Sequence, residues 1–136
     1  MRGMTAFAIT VAAMTVMACD DNPLAPSDVV GTTWRLVGLQ EAGSNPITVD
    51  DPTRYTLRLE QESRVAVVSD CNSCGGAYSL TGSALELGPI ACTKVFCGDT
   101  SPDQKFARAL EQARTVSVDD ARMTIHGEGV TLQFAR

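Results

Sequence analysis

Cys71-Asn72-Ser73-Cys74-Gly75-Gly76-Ala77-Tyr78 (CNSCGGAY) lies at the middle of the 136-residue chain. A cysteine pair at this spacing holds zinc, exchanges electrons or anchors disulfides, and each role demands different surroundings. A redox pair opens a helix in a βαβ setting, where the thiolate is stabilised. Here Gly75-Gly76 and then Tyr78-Ser79-Leu80 follow, which reads as a tight turn at the glycines leading into a strand. Cys92 and Cys97 complete a C-x2-C…C-x4-C pattern, and the fifth cysteine is Cys19. In a cytosolic protein that pattern suggests a zinc ribbon. Outside the cytoplasm, an even set of four thiols reads as two disulfides. The compartment decides between them.

The first residues, MRGMTAFAITVAAMTVMACD, supply the address. Arg2 is followed by an uncharged, mostly apolar run from Gly3 to Ala18. That run is too short and too interrupted by Thr for a span of ~20 apolar residues, and it has the n- and h-regions of a secretory signal peptide. It ends Val16-Met17-Ala18-Cys19, the pattern of a bacterial lipoprotein processing site. The expectation is a signal peptide over 1–18, with Cys19 acylated through its sulfur and becoming the new N terminus. Two or more acyl chains give stable membrane attachment. Residues 19–28, with Asp20-Asp21-Asn22-Pro23 and Pro26, read as the lipidated end and a short polar leash. The domain is then placed over 29–136, tethered to a bacterial membrane and facing the periplasm. Asp20 resembles an inner-membrane retention signal, but the choice between inner and outer membrane stays open.

Cleavage removes one of 11 basic side chains and none of the 16 acidic ones, so the mature chain of 118 residues carries a formal charge of −6. A chain of this size buries a single core. Its acidic balance argues against nucleic acid as a partner.

Short alternating runs dominate the rest: Trp34-Arg35-Leu36-Val37, Tyr55-Thr56-Leu57-Arg58-Leu59, Val116-Ser117-Val118, Met123-Thr124-Ile125 and Val130-Thr131-Leu132-Gln133-Phe134. Val65-Ala66-Val67-Val68 is more continuously apolar, as in a strand covered on both faces. Tyr78-Ser79-Leu80 and Leu85-Glu86-Leu87 flank Thr81-Gly82-Ser83-Ala84, a hairpin signal. Gln40 to Thr53, punctuated by Gly43, Pro46 and Pro52, reads as a mobile loop. Ser101-Pro102-Asp103-Gln104 opens a helix, and Phe106, Leu110 and Ala113 share one face of it. The predicted class is mainly β: a curled antiparallel sheet or small open barrel of about seven or eight strands, with one helix over about 102–113 packed across it.

Several of these pieces, in order, resemble the META/HslJ-like domain. They are Gly31-Thr32-Thr33-Trp34-Arg35-Leu36, Cys71-Asn72 with Gly76-Ala77-Tyr78, Gly88-Pro89-Ile90-Ala91-Cys92-Thr93-Lys94 with Cys97, the Phe106…Ala109-Leu110 helix, and Gly127-Glu128-Gly129-Val130-Thr131-Leu132-Gln133-Phe134. The resemblance spans about residues 29–136. It implies a curved sheet or small open barrel with one helix, and an envelope lipoprotein, in agreement with Cys19. Four cysteines allow three connectivities. Members often lack the equivalents of Cys74 and Cys92, so the resemblance implies that these two pair with each other, leaving Cys71 with Cys97. A hairpin over Tyr78–Leu87 suits that nested arrangement.

Catalytic candidates are weak. The single His126 falls out of phase with Met123 and Ile125, as a solvent-facing side chain does. Asp50-Asp51 and Asp119-Asp120 read as turn formers without the further oxygens a calcium site needs. No nucleophile elbow or phosphate loop is present. The expectation is a non-enzymatic lipoprotein without metal or cofactor, which binds or stabilises another envelope component, in the stress role that the resemblance implies. The competing reading is a carrier or pilot-like module holding an apolar ligand such as an acyl chain. Replacing Cys19 with Ala should move the protein from the membrane to the soluble fraction, as followed by fractionation and intact mass. Unchanged membrane association and mass would contradict lipidation.

Overall fold

The computed structural model describes residues 25–136, so the leader, Cys19 and most of the leash lie outside the described residues. A short helix, α1 (Pro26–Val29), precedes β1 (Thr33–Glu41), β2 (Ile47–Thr48), β3 (Tyr55–Leu59), β4 (Arg64–Ser69), β5 (Asn72–Thr81), β6 (Ala84–Leu87) and β7 (Ala91–Cys92). Helix α2 (Asp103–Glu111) then leads into β8 (Ala113–Asp119), β9 (Arg122–Gly127) and β10 (Val130–Ala135). The predicted alternation is realised as antiparallel pairing in the order β10-β9-β8-β6-β5-β4-β3-β1. β10 also pairs with β1, Leu39 opposite Leu132 and Glu41 opposite Val130. That pairing joins the two ends of the sheet, and eight strands form a closed barrel with no free edge along that path. The narrowest seam is β6 to β8, where Ala84 faces Thr115 and Val116 N–H donates to Ser83 O at 2.9 Å.

Closure needs bends. The β1–β10 register shifts between Leu36 and Gly38, so Trp34, Leu36 and Leu39 are all buried although the spacing breaks period two. A second shift lies between Ala113 and Thr115 of β8, opposite Gly127. There a Cβ on Gly127 would stand 2.4 Å from Gln112 O, so only glycine fits this crossing.

The barrel interior is filled by the chain's own side chains, among them Trp34, Leu57, Leu59, Leu85, Ile125, Leu132 and Phe134. α2 closes one end, the head, by inserting Phe106, Ala109 and Leu110. Phe106 packs 5.9 Å from the Tyr55 ring, nearly edge-on, and 6.2 Å from Phe134. At the opposite end, the foot, Val29 is buried and accepts a hydrogen bond from Trp34 Nε1 at 3.2 Å. Gly31 N–H donates to Leu59 O at the end of β3, and Arg136 N–H donates to Ala121 O in the β8–β9 turn. Residue 25 and the C terminus therefore both leave at the foot.

The expected small β barrel with one helix is present, and it is closed. Four expectations need correction. Gly75 and Gly76 lie inside β5; the turn comes earlier, at Asp70-Cys71, with Ser69 opposite Asn72 and Asp70 at φ 58°. β4 is covered on one face only, with Val65 and Val67 inward and Val68 38% exposed. The helix stops at Glu111, because Ala113 already starts β8. Within 40–53, β1 runs on to Glu41, β2 pairs with β1 and Val49 is buried, so this stretch is partly built into the fold. Phe106→Ala should cost about 3–5 kcal/mol, since it empties the site between Tyr55 and Phe134. Chemical denaturation would measure this, and a loss below about 1 kcal/mol would show that α2 is not part of the core.

Candidate functional site

The head of the barrel is organised around the β4–β5 hairpin. Its Asp70 accepts the left-handed backbone that a two-residue turn requires, as Asp does more readily than most residues. The Asp70 carboxylate is buried. Arg54 lies against Oδ1 as an ion pair without hydrogen-bond alignment, and Ser101 O–H donates to Oδ2 at 2.5 Å. Ser101 Oγ then accepts from Asp103 N–H at 3.3 Å; the N-cap position of α2 is Pro102 and not Ser101, since the helix starts only at Asp103. Ser101 Oγ also meets the Tyr55 hydroxyl at 3.4 Å. Burial pushes the Tyr55 phenol above its ordinary pKa, opposed by the Ser101 hydrogen bond and helped by the adjacent Asp70 carboxylate.

Asn72 is 3% exposed and ties three segments together. Its Oδ1 accepts from Val95 N–H at 2.8 Å and Thr93 O–H at 2.9 Å. Its Nδ2 reaches Val95 O at 3.0 Å, Cys97 Sγ at 3.2 Å and Asp103 Oδ2 at 3.2 Å. Thr93 N–H in turn donates to Ser73 O at 3.0 Å. The chain from Gly88 to Pro102 is thereby drawn across the head as a strap.

Two disulfides hold the same strap. Cys71 is bonded to Cys97 with Cα atoms 5.6 Å apart, and Cys74 to Cys92 with Cα atoms 4.0 Å apart. Cys74 and Cys92 are direct partners across β5 and β7, at the closer spacing of a pair that does not exchange backbone hydrogen bonds. The strap passes so near β5 that a Cβ on Gly76 would lie 2.8 Å from Pro89 O. The glycine pair thus serves close approach and not a turn.

Between strap and α2 runs a groove of about 530 Å³. Ile90, Cys92, Lys94 and Phe96 come from one wall, and Gln104, Ala107, Arg108 and Glu111 from the other. Phe96 is 78% and Val95 56% exposed at its rim. Lys94 and Arg108 are in no ion pair among the described residues. Glu111 accepts from Ile90 N–H at 2.7 Å. The sequence pattern did not signal this groove, since its walls come from a stretch without periodicity and from the polar face of a helix.

A second recess, beside Asp50, Asp51, Asp70, Asp99 and Lys105, is more polar. Asp51 accepts from both Thr53 N–H at 3.1 Å and Thr53 O–H at 2.5 Å, and these bonds lower its pKa. Among the described residues, no three or more His, Cys, Asp or Glu side chains come together as metal ligands. His126 is exposed on β9, its Nδ1 3.4 Å from Thr131 Oγ1. Among these residues, too, no helix is long and apolar enough to cross a membrane.

A family model described as the META domain matches residues 27–136. The fold is similar to an NMR structure of a protein from Burkholderia xenovorans, at 21% identity and a TM-score of 0.68, covering 93% of this chain and 98% of that one. It is also similar to a crystal structure of a DUF4847 family protein from Bacteroides vulgatus, at 17% identity and a TM-score of 0.55, covering 76% and 90%. No match was found among curated proteins. Nonreducing peptide mapping should recover Cys71–Cys97 and Cys74–Cys92. A Cys71–Cys74 linkage or bound zinc would contradict the geometry of the head.

Proposed function

The chain belongs to the META domain family, and from that premise we propose that it is a non-enzymatic envelope lipoprotein, anchored through acylated Cys19, that binds another component of the envelope at the head of its barrel. The observation that carries this reading is the groove beside Phe96. It combines exposed apolar side chains with two cations that form no ion pair among the described residues, a composition suited to a partner. Position supports it as well. The described chain begins at the foot, so a tether at Cys19 would leave the head directed away from the membrane. The stress role implied by the family resemblance fits a domain stapled for service outside the cytoplasm. The carrier reading is less well supported, because the interior that an acyl chain would occupy is packed with Trp34, Phe106 and Phe134.

A photocrosslinking side chain placed at Phe96 in the full-length protein, expressed in a bacterial envelope, should yield adducts that fractionate with membranes. The same side chain at Val37, exposed on β1 away from the groove, should not. Equal labelling from both positions, or none from Phe96, would contradict the assignment.

A further inference from the structure

The groove has a backbone wall as well as a side-chain one. Among the described residues β7 pairs with β5 alone, so its other edge is unpaired there. In an antiparallel ladder the backbone groups of alternate residues point toward the partner strand. Thr93 N–H donates to Ser73 O, and Val95 bonds through both its N–H and its C=O to Asn72. From Ala91 to Val95 the odd-numbered residues therefore turn their backbone groups to β5 and the hairpin. Gly88, before this run, still donates its N–H to Ala77 O on β5; from Ile90 to Lys94 the even-numbered residues turn theirs the other way, and the Ile90 N–H reaches Glu111 Oε1 on α2. Lys94 N–H and C=O make no hydrogen bond among the described residues, and by the same alternation those of Cys92 face the groove. The strap thus presents a short strand edge, held rigid by two disulfides and Asn72, opposite a helix.

Resting on the binding reading above, we infer that the groove takes an extended acidic polypeptide segment, which adds as a strand to the Cys92–Lys94 edge and lies between it and α2. Strand addition draws affinity from main-chain hydrogen bonds and specificity from alternate side chains. Charge selects the acidic segment. Lys94 and Arg108 have no ion-pair partner among the described residues, whereas the two carboxylates on the helix wall are engaged, Glu111 by Ile90 N–H and Asp103 by Asn72. A lysine on a strand edge ordinarily discourages pairing with neutral strands, so a partner must bring negative charge to be accepted. Phe96 and Val95 offer apolar contact beyond the edge.

The test uses the full chain in detergent and a phage-displayed library of random dodecapeptides. Selected peptides should be enriched in Asp or Glu flanked by apolar residues. A synthetic peptide of the resulting consensus, followed by fluorescence anisotropy, should bind about tenfold more weakly to Arg108→Glu or Lys94→Glu. Arg35→Glu, on the exposed outer wall of β1, serves as the control and should bind as the parent does. Methylating single amide nitrogens along the peptide should weaken binding by about fivefold or more at every second position only, because alternate amides meet the edge. A flat methylation series with retained binding overturns strand addition while leaving the groove a binding site. A basic consensus, no consensus, or binding to phosphatidylglycerol vesicles in place of peptide overturns the inference outright. Phe96 adducts remain the separate check on the binding reading itself.

Discussion

The head of this barrel depends on one buried amide. Asn72 uses both ends of its side chain, and its partners belong to segments that are distant in the chain: Thr93, Val95 and Cys97 from the strap and Asp103 from α2. A buried amide that finds all its partners rigidifies its surroundings, whereas the same group left unmatched costs about 1–3 kcal/mol. Little hydrophobic burial holds the strap. Its residues from Thr93 to Phe96 are exposed, so they contribute almost no hydrophobic burial. The disulfides limit how far the strap can stray, by roughly 3 kcal/mol for a loop of this length on the chain-entropy model, but two covalent points do not orient the peptide groups between them. Asn72 does, because it binds the N–H and C=O of the same residue.

The same corner couples to the core. Asp103, held by Asn72, is the first residue of α2, and Ser69 Oγ donates to its carbonyl at 2.6 Å. Ser101 accepts from the Asp103 N–H at the helix start while donating to Asp70, whose carboxylate also holds Arg54. Placing the helix start places Phe106 three residues later against Tyr55 and Phe134. The polar corner and the apolar plug are therefore one assembly, and the groove lies on its outer side.

Much of the barrel was legible from local pattern. The alternating runs became β1, β3, β9 and β10, Gly82 sits in the expected hairpin turn with φ 58°, and Phe106 and Leu110 fall inward as their spacing predicts. What escaped was non-local. Barrel closure rests on β1 meeting β10 almost a hundred residues away, and no window of sequence carries that. The Val65–Val68 run looked covered on both faces, yet its outer face has only the helix-free side of the wall, so Val68 stays partly exposed. Gly75-Gly76 suggested a turn because glycine permits one; the other reason for glycine, room for a neighbouring backbone, becomes visible only once Pro89 is in place. The cysteine pairing came from family resemblance and not from spacing. Lys94 and Arg108 meet only because strap and helix are folded together, so the groove had no signature to read.

The most direct test of Asn72 as the organiser of the head is the hydrogen exchange of the Val95 amide in Asn72→Ala with both disulfides intact. Asn72 Oδ1 is that amide's partner, so its exchange should be at least about tenfold faster than in the parent protein, with the β9–β10 amides unchanged. Undiminished protection of Val95 would mean that the disulfides alone fix the strap, and that the head does not depend on Asn72.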